Sequence, residues 1–381
     1  MSRDRSSMPR AALQPDRREL LRWSSMLAMA SGIGGGIGSA QAAQSSPQGG
    51  ASEPASLSKK MIGYMLAHEQ FPIGDILRIG KNASQAGFDV LATSDHFQPW
   101  QANQGHSSMA WVSIGALGAQ TGQAWMGTTV TCPTFRYNPA VVAEGFASLA
   151  RLYPGRIFLG VGSGEALNEQ AATGEWPKWQ ERWDRLIEAM AIIRGLWSGQ
   201  DVAHKGQYYT VNARLYDPPP QPIPLLAAAN GKKSMRLAGQ HADGLVTDPA
   251  TWKKHKQEWQ EGAAKAGKDP SKMPVLVEHY VVVGDKSDAQ QAAELWRFGP
   301  KAFDTLYNVR DPAEIQRRAE ANTPIEKVLS SWTVSPDPEA HIQAVHELFD
   351  SGVTIVNTHS GQADQNKVVD FYGNKVIPKL G

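Results

Sequence analysis

The chain has 381 residues, is 41% hydrophobic and 20% charged, and carries a formal net charge of +1. That is the composition of a globular protein, long enough for two domains or for one α/β barrel with insertions. Its one cysteine, Cys132, excludes an internal disulfide, and the lack of basic stretches beyond the N-terminus and of zinc-type cysteine spacing points away from nucleic acid.

The first residues read as a targeting segment. Residues 1–22 carry six arginines, including the pair Arg17-Arg18. A weakly apolar stretch follows, "WSSMLAMASGIGGGIG", and then Ala40-Gln41-Ala42, the small-x-small form of a cleavage site. This pattern predicts a twin-arginine signal peptide over 1–42. The alternative is a disordered basic tail. Its glycines and serines make the stretch too polar for a membrane anchor. Export of the folded chain by the Tat translocase to the periplasm or cell envelope is expected. Without 1–42, which hold six arginines and three acids, the formal charge moves from +1 to −2. Residues 43–58 are Ser/Gly/Pro/Ala-rich and read as a flexible linker.

From Lys59 onward strands and helices alternate. "KKMIGYMLAH", "FDVLATS", "AWMGTTVTC" and "RIFLGVGS" read as strands, with helices between them. Trp183, Leu186, Ile187, Met190, Ile193 and Trp197 share one face of a helix over 181–197. "IPLLAAA", "DGLVT", "MPVLVEHYVVVG" and "GVTIVNT" supply four more strands. Eight near-continuous apolar strands, each followed by a helix, imply a parallel sheet buried on both faces. They fit a (β/α)8 TIM barrel over 59–381, with a doubly wound open sheet as the competitor. The stretches 201–222 and 297–332 break the rhythm and read as rim insertions, the first a hairpin with a proline run and the second extra helices.

In such a barrel chemistry gathers at the C-terminal strand ends. Glu69 falls at the first, Ser94-Asp95-His96 at the second, Cys132 at the third and "GVGSGE" (160–165) at the fourth. Asn230-Gly231, Thr247-Asp248, His279 and His359 follow on the remaining four, all expected to face one mouth. Taken singly, each has an ordinary reading, because a strand-end His or Asp usually caps a loop or helix. Together, Glu69, Asp95, His96 and Glu165 place carboxylates and an imidazole around one cavity, where acid and base roles divide. "GVGSGE" and "AAANGKKS", the latter with Lys232 and Lys233, are loops whose amides would face an anionic, phosphate-bearing ligand. No HxH or HExxH spacing favours a metal, and no GxSxG elbow favours a serine hydrolase.

The stretches "TSDHFQPW", "TCPTFRYNPAVVAEGFASLARLYPGRIFLGVGSGEALNE" and "ERWDRLIEAMAIIRGLWSGQ" resemble the F420-dependent glucose-6-phosphate dehydrogenase family of the luciferase-like superfamily. The likeness runs from about Met61 to the C-terminus. The twin-arginine signal and "TCP" look more like the family's exported branch, to which F420-dependent hydroxymycolic acid dehydrogenase belongs. The resemblance implies the deazaflavin coenzyme F420 at the barrel mouth, a homodimer, and hydride exchange with a small-molecule or lipid alcohol. It assigns His96, Glu165, Glu69 and Trp100 to catalysis. It assigns Asp95, Cys132, Ser163, Gly164, Asn168, Asn230, Gly231, Lys233 and Ser234 to the cofactor, with Thr129-Val130 at a non-proline cis peptide behind its ring.

The departures bear on substrate. Where the sugar-phosphate enzymes have a threonine, two lysines and an arginine for the phosphate, this sequence has Asp248, one lysine position within the insertion-prone stretch "DPATWKK", Leu306 (with Lys301 near) and Ser331. A carboxylate in place of a neutral donor and the loss of a bidentate arginine predict a non-phosphorylated alcohol. Three alternatives stand beside this reading: a sugar-phosphate dehydrogenase, an FMN-dependent monooxygenase on the same barrel, and an exported binding protein.

Overall fold

The computed structural model describes residues 57–381, so the expected signal peptide and nearly all of the linker lie outside the described residues. The strands are β1 Met61–Leu66, β2 Val90–Thr93, β3 Trp125–Thr131, β4 Ile157–Val161, β5 Val202–Lys205, β6 Thr210–Ala213, β7 Leu225–Ala228, β8 Gly244–Thr247, β9 Val275–Val283, β10 Thr333–Ser335 and β11 Ile355–His359. β1, β2, β3, β4, β7, β8, β9 and β11 are hydrogen-bonded in that order and all parallel, and β11 pairs back to β1. The sheet is therefore a closed (β/α)8 barrel with luciferase-like rim insertions, and it has no open edge among these eight strands.

Parity along each strand separates two apolar layers. Met61, Met65, Val90, Ala92, Trp125, Phe158, Leu226, Val246, Leu276 and Ile355 pack inside the barrel. The alternate residues, such as Tyr64, Leu91, Met126, Leu159 and Val277, pack outward against the helices. Both strand faces are apolar because both are covered, which is why the runs read as continuous. Helix Pro139–Leu152 starts where the Asn138 side chain accepts the Ala140 N–H and proline occupies the first turn. Helix Trp179–Trp197 buries Trp183, Leu186, Met190 and Ile193, with Ile187 and Trp197 half-buried at the edge of the same face. Among the described residues no helix is long and apolar enough to cross a membrane.

The first insertion is the antiparallel hairpin β5–β6. Glu188 clasps it to helix Trp179–Trp197: its carboxylate accepts the backbone N–H groups of Gln207, Tyr208 and Tyr209 and contacts His204 Nε2 at 2.9 Å. The second insertion holds helices Pro312–Asn322 and Ile325–Leu329. It ends in β10, a three-residue strand absent from the sequence expectations, which pairs with Val281–Val283 above the point where β8 leaves β9. This insertion lies against the mouth: Tyr307 O accepts the Ala166 N–H at 2.8 Å, and Gln101 Oε1 accepts the Phe298 N–H at 2.9 Å.

Candidate active site

The loop after β2 brings Ser94, Asp95 and His96 to the C-terminal barrel end beside Glu69, which follows β1. Glu69 is 2% exposed. Its Oε2 accepts the Ser94 hydroxyl at 2.5 Å, and its Oε1 lies 3.5 Å from His96 Nε2. Ser94 Oγ in turn accepts the His68 N–H at 3.0 Å. The acid is thus held by a chain of donors with one oxygen left toward the imidazole.

Asn168 orients that imidazole. Its Oδ1 accepts the N–H groups of Phe97 at 2.8 Å and Gln98 at 3.2 Å. The amide nitrogen must therefore be the donating end, and it lies 3.2 Å from both His96 Nδ1 and Glu165 Oε2. In the neutral ring Nδ1 then accepts from Asn168 and Nε2–H points at Glu69. In the imidazolium Nδ1–H donates to the Gln98 carbonyl, 3.2 Å away. Trp100 closes this side: it stacks on Phe298 at 4.6 Å, lies 5.6 Å from the His96 ring and is 5% exposed.

Thr129–Val130 is a cis peptide bond, found where the resemblance places it. It sits in a bulge where the β3–β4 register shifts between Thr128 and Thr131. Thr129 and Val130 are half-buried in a strand whose other residues are buried, so they form open floor. The glycines of "GVGSGE" make room for this bulge. A Cβ on Gly160 would lie 2.1 Å from Thr128 O, and one on Gly162 2.6 Å from Val130 Cγ2. Gly160 and Gly162 thus answer to β3 as neighbours of the bulge. Gly164 adopts φ +80°, a left-handed conformation, above Cys132 and Glu169. Ser163 and Glu165 are half-buried at the mouth.

Asp95 is placed otherwise than expected of a residue open to a ligand. It is 3% exposed and its oxygens are taken by protein donors. Thr131 Oγ1 (2.6 Å) and Trp111 Nε1 (3.1 Å) donate to Oδ2, and Arg136 Nη2 and Tyr137 OH (both 3.2 Å) to Oδ1. Arg136 also donates its backbone N–H to Glu169 Oε2 at 2.9 Å. Burial pushes the Glu169 carboxyl up to about 7 against the pull of Arg136. Cys132 is buried beneath Gly164, its Sγ 3.0 Å from Thr134 Oγ1, and burial pushes its thiol up.

On the far side, Ser234 Oγ accepts the N–H groups of Asn230 and Gly231. Those two amides, expected to be free for an anion, are already satisfied. Lys233 Nζ contacts Gln180 and lies 4.7 Å from the Trp179 ring, and Lys232 pairs with Glu258 at 3.5 Å. Asp248 caps helix Pro249–Lys265, accepting Thr251 N–H and Oγ1, so its carboxylate has a local role. Leu306 is buried in the Trp100 cluster, Ser331 is exposed and bonds Val328 O, and Lys301 pairs with Asp304.

His279 does not face the mouth. By parity with Leu276, the inward residues of β9 are Glu278 and Tyr280, whereas His279 points to Thr333 Oγ1 at 3.0 Å. Burial lowers its pKa to about 4. Glu278 and Tyr280 were not singled out from the sequence, although strand parity would have found them once the interior layer was known. His359 does lie at the inward end of β11, and its Nδ1 is 2.5 Å from Glu278 Oε1. Among the described residues no group of three metal-ligating side chains converges.

A closed parallel barrel with a buried acid beside a half-buried imidazole, a cis bulge and an aromatic wall at one mouth is the setting of a barrel oxidoreductase. The chain belongs to the luciferase-like monooxygenase family, which matches residues 53–355. It is 44% identical to the F420-dependent hydroxymycolic acid dehydrogenase of Mycobacterium tuberculosis, covering 92% of this chain and 94% of that one. It is 40% identical to the F420-dependent glucose-6-phosphate dehydrogenase of Microbacterium testaceum, covering 84% and 97%. An F420-dependent secondary alcohol dehydrogenase, solved with an F420–acetone adduct, superposes with a TM-score of 0.80 at 34% identity, covering 85% of this chain and 99% of that one. A coenzyme F420 dependent tetrahydromethanopterin reductase from Methanopyrus kandleri, at TM-score 0.68 and 19% identity, shares the fold.

Proposed function

We propose that this protein is an F420-dependent dehydrogenase that oxidises a neutral, non-phosphorylated secondary alcohol or reduces the matching ketone. The single observation that carries the reading is the Glu69–His96 pair, fixed by Ser94 and Asn168, beside the half-open Thr129–Val130 bulge. The long matches to F420-dependent alcohol and hydroxymycolic acid dehydrogenases support it.

The residues present fit a deazaflavin ring. Thr129 and Val130 offer a flat, half-exposed floor, and Ser163, Gly164, Asn230 and Gly231 lie on the loops around it. Bound there, F420 supplies a ring carbon that accepts or returns a hydride. His96 takes the proton. Proton uptake at Nε2 needs the other neutral tautomer, in which Nδ1–H donates to the Gln98 carbonyl; a substrate hydroxyl that replaces the 3.5 Å Glu69 contact then gives its proton to the free Nε2 lone pair. Glu69 stabilises the resulting imidazolium. Trp100, Phe298 and Phe303 wall the site with apolar surface and exclude water. Glu165, tied to His96 through Asn168, is the group proposed to hold the proton of the reduced cofactor.

Anaerobic mixing with F420 and a panel of alcohols tests the reading. Loss of F420 absorbance is expected with neutral secondary alcohols, and His96→Ala should cut turnover about 10²- to 10⁴-fold while F420 still binds. Tight FMN binding with oxygen-dependent turnover would replace it.

Export through the twin-arginine route and a homodimer complete the proposal. Arg17-Arg18 and Ala40-Gln41-Ala42 support export to the periplasm or cell envelope. Exposed Val112, Val141 and Leu152, 56%, 50% and 64% accessible on helices of one side, support self-association. Fractionation after changing both arginines to lysine, and sedimentation of the purified protein, decide the two points.

A further inference from the structure

The mouth holds a second acid–imidazole pair that the reaction above does not use. Glu278 on β9 and His359 on β11 meet at 2.5 Å across adjacent strands. His359 is 1% exposed, stacked on Tyr280 at 4.3 Å and edge-on to Trp296 at 4.3 Å. Its ring is fixed, and its Nε2 is buried with no hydrogen-bond partner. Glu278 keeps 27% of its side chain accessible. Strand order runs β9, β11, β1, β2, so Glu278, His359, Glu69 and His96 line one arc of the mouth. Burial alone would raise the Glu278 carboxyl. The hydrogen bond and charge of His359, with smaller contributions from Tyr280 and His96, hold it below the usual range instead.

An ionised carboxylate in an aromatic-walled site sets a condition on what closes over it. An apolar substrate would strip water from the accessible part of this carboxylate and leave it only its His359 and Tyr280 partners, which a charged acceptor with lone pairs to spare tolerates poorly. A substrate with a second hydroxyl group supplies a further donor in place of that water. We propose that Glu278, backed by His359, is a specificity-determining residue that accepts a hydrogen bond from a second hydroxyl of the substrate. The substrate class is then a neutral hydroxylated alcohol, a diol or hydroxy-substituted carbinol, rather than a simple alkanol. The inference rests on the alcohol-dehydrogenase reading and deepens it.

The probes are 2,3-butanediol and 2-butanol with F420, on wild type, Glu278→Leu and the near-isosteric Glu278→Gln. Wild type should favour the diol in kcat/KM by about tenfold or more, the discrimination a site built around a hydrogen bond attains. Glu278→Leu should collapse that ratio toward or below unity, with Glu278→Gln between. Circular dichroism checks folding, and the glutamine variant decides if the leucine variant is unfolded. Saturation-transfer NMR of both probes against the purified F420-loaded protein gives a binding ratio independent of turnover. A wild type with no diol preference in turnover or binding overturns the proposal. So does an equal loss on both substrates, which would make Glu278 act through His96 or the fold. If neither alcohol is oxidised, the dehydrogenase reading falls, and the binding ratio still decides Glu278.

Discussion

One amide, that of Asn168, couples the loop after β2 to the imidazole it carries. Two backbone N–H groups fix its oxygen, so its nitrogen dictates which His96 nitrogen accepts. Asn168→Ala should lower kcat about tenfold to a hundredfold and displace the pH profile of kcat, because the ring loses the group that holds Nδ1 in place and its tautomer balance shifts. A loss confined to KM would show that the amide serves binding alone. Glu169 carries a different signature. Its folded value is raised to about 7 from an ordinary 4.5, so the folded state holds the proton more tightly than the unfolded chain. Its stabilising contribution is full below about 4.5 and is lost as pH rises through about 7. Glu169→Gln keeps an acceptor for the Arg136 N–H and removes the titration. Urea unfolding at pH 5 and pH 8 should show the wild type losing about 1–3 kcal/mol more than the variant across that span. Equal losses would mean that Arg136 keeps the carboxylate charged throughout. At this scale the sequence displayed His96, Glu69 and Glu165, since acid and imidazole at strand ends stand out against apolar runs. It hid Glu278 and Tyr280, because in "VLVEHYVVV" both strand faces are apolar and no alternation says which polar residue turns inward.

Elements meet closely where β3 bulges against β4. Gly160 and Gly162 lie opposite the bulge, and the space a methyl would need is filled by Thr128 O and Val130. Gly160→Ala should force β3 and β4 apart, destabilising the fold by about 1–3 kcal/mol as overpacking does. It should also weaken F420 binding, because the floor at Thr129–Val130 moves with the strand. Thermal melts and F420 titration check both, and an unchanged F420 affinity would separate the bulge from the cofactor. The glycines were visible in the sequence, and their reason was not. A glycine after a strand looks the same whether it makes room for a ligand or for a neighbouring carbonyl, and only the register of β3 against β4 distinguishes the two. The hairpin β5–β6 and the eight barrel strands were legible from turn residues and apolar runs. β10 was not, since three half-buried residues carry no period.

At the scale of the molecule, the second insertion fixes what the mouth admits. It brings Phe298, Phe303 and Leu306 against Trp100, and its Lys301 is paired with Asp304. A sugar phosphate is a dianion, and its desolvation must be offset by fixed positive charge. The positions that resemblance assigns to that task hold Leu306, buried among rings, and Ser331, exposed and bonded to Val328 O. Asp248 caps its helix, yet its charge remains on the same rim and opposes a phosphate. Two absent charge-assisted hydrogen bonds, at about 1–3 kcal/mol each, correspond to two to four decades of affinity. Glucose 6-phosphate should therefore be used about a thousandfold less efficiently than the best neutral secondary alcohol at saturating F420. Steady-state kinetics decide this, and a kcat/KM within tenfold of the neutral alcohol would defeat the argument from missing cations. Ser331→Arg with Asp248→Thr is the complementary trial. Threonine keeps a helix cap and arginine has solvent to extend into, so the fold should survive. A gain of tenfold or more for the phosphate sugar, with none for the neutral alcohol, is expected if these positions face the substrate, and no gain would place them elsewhere.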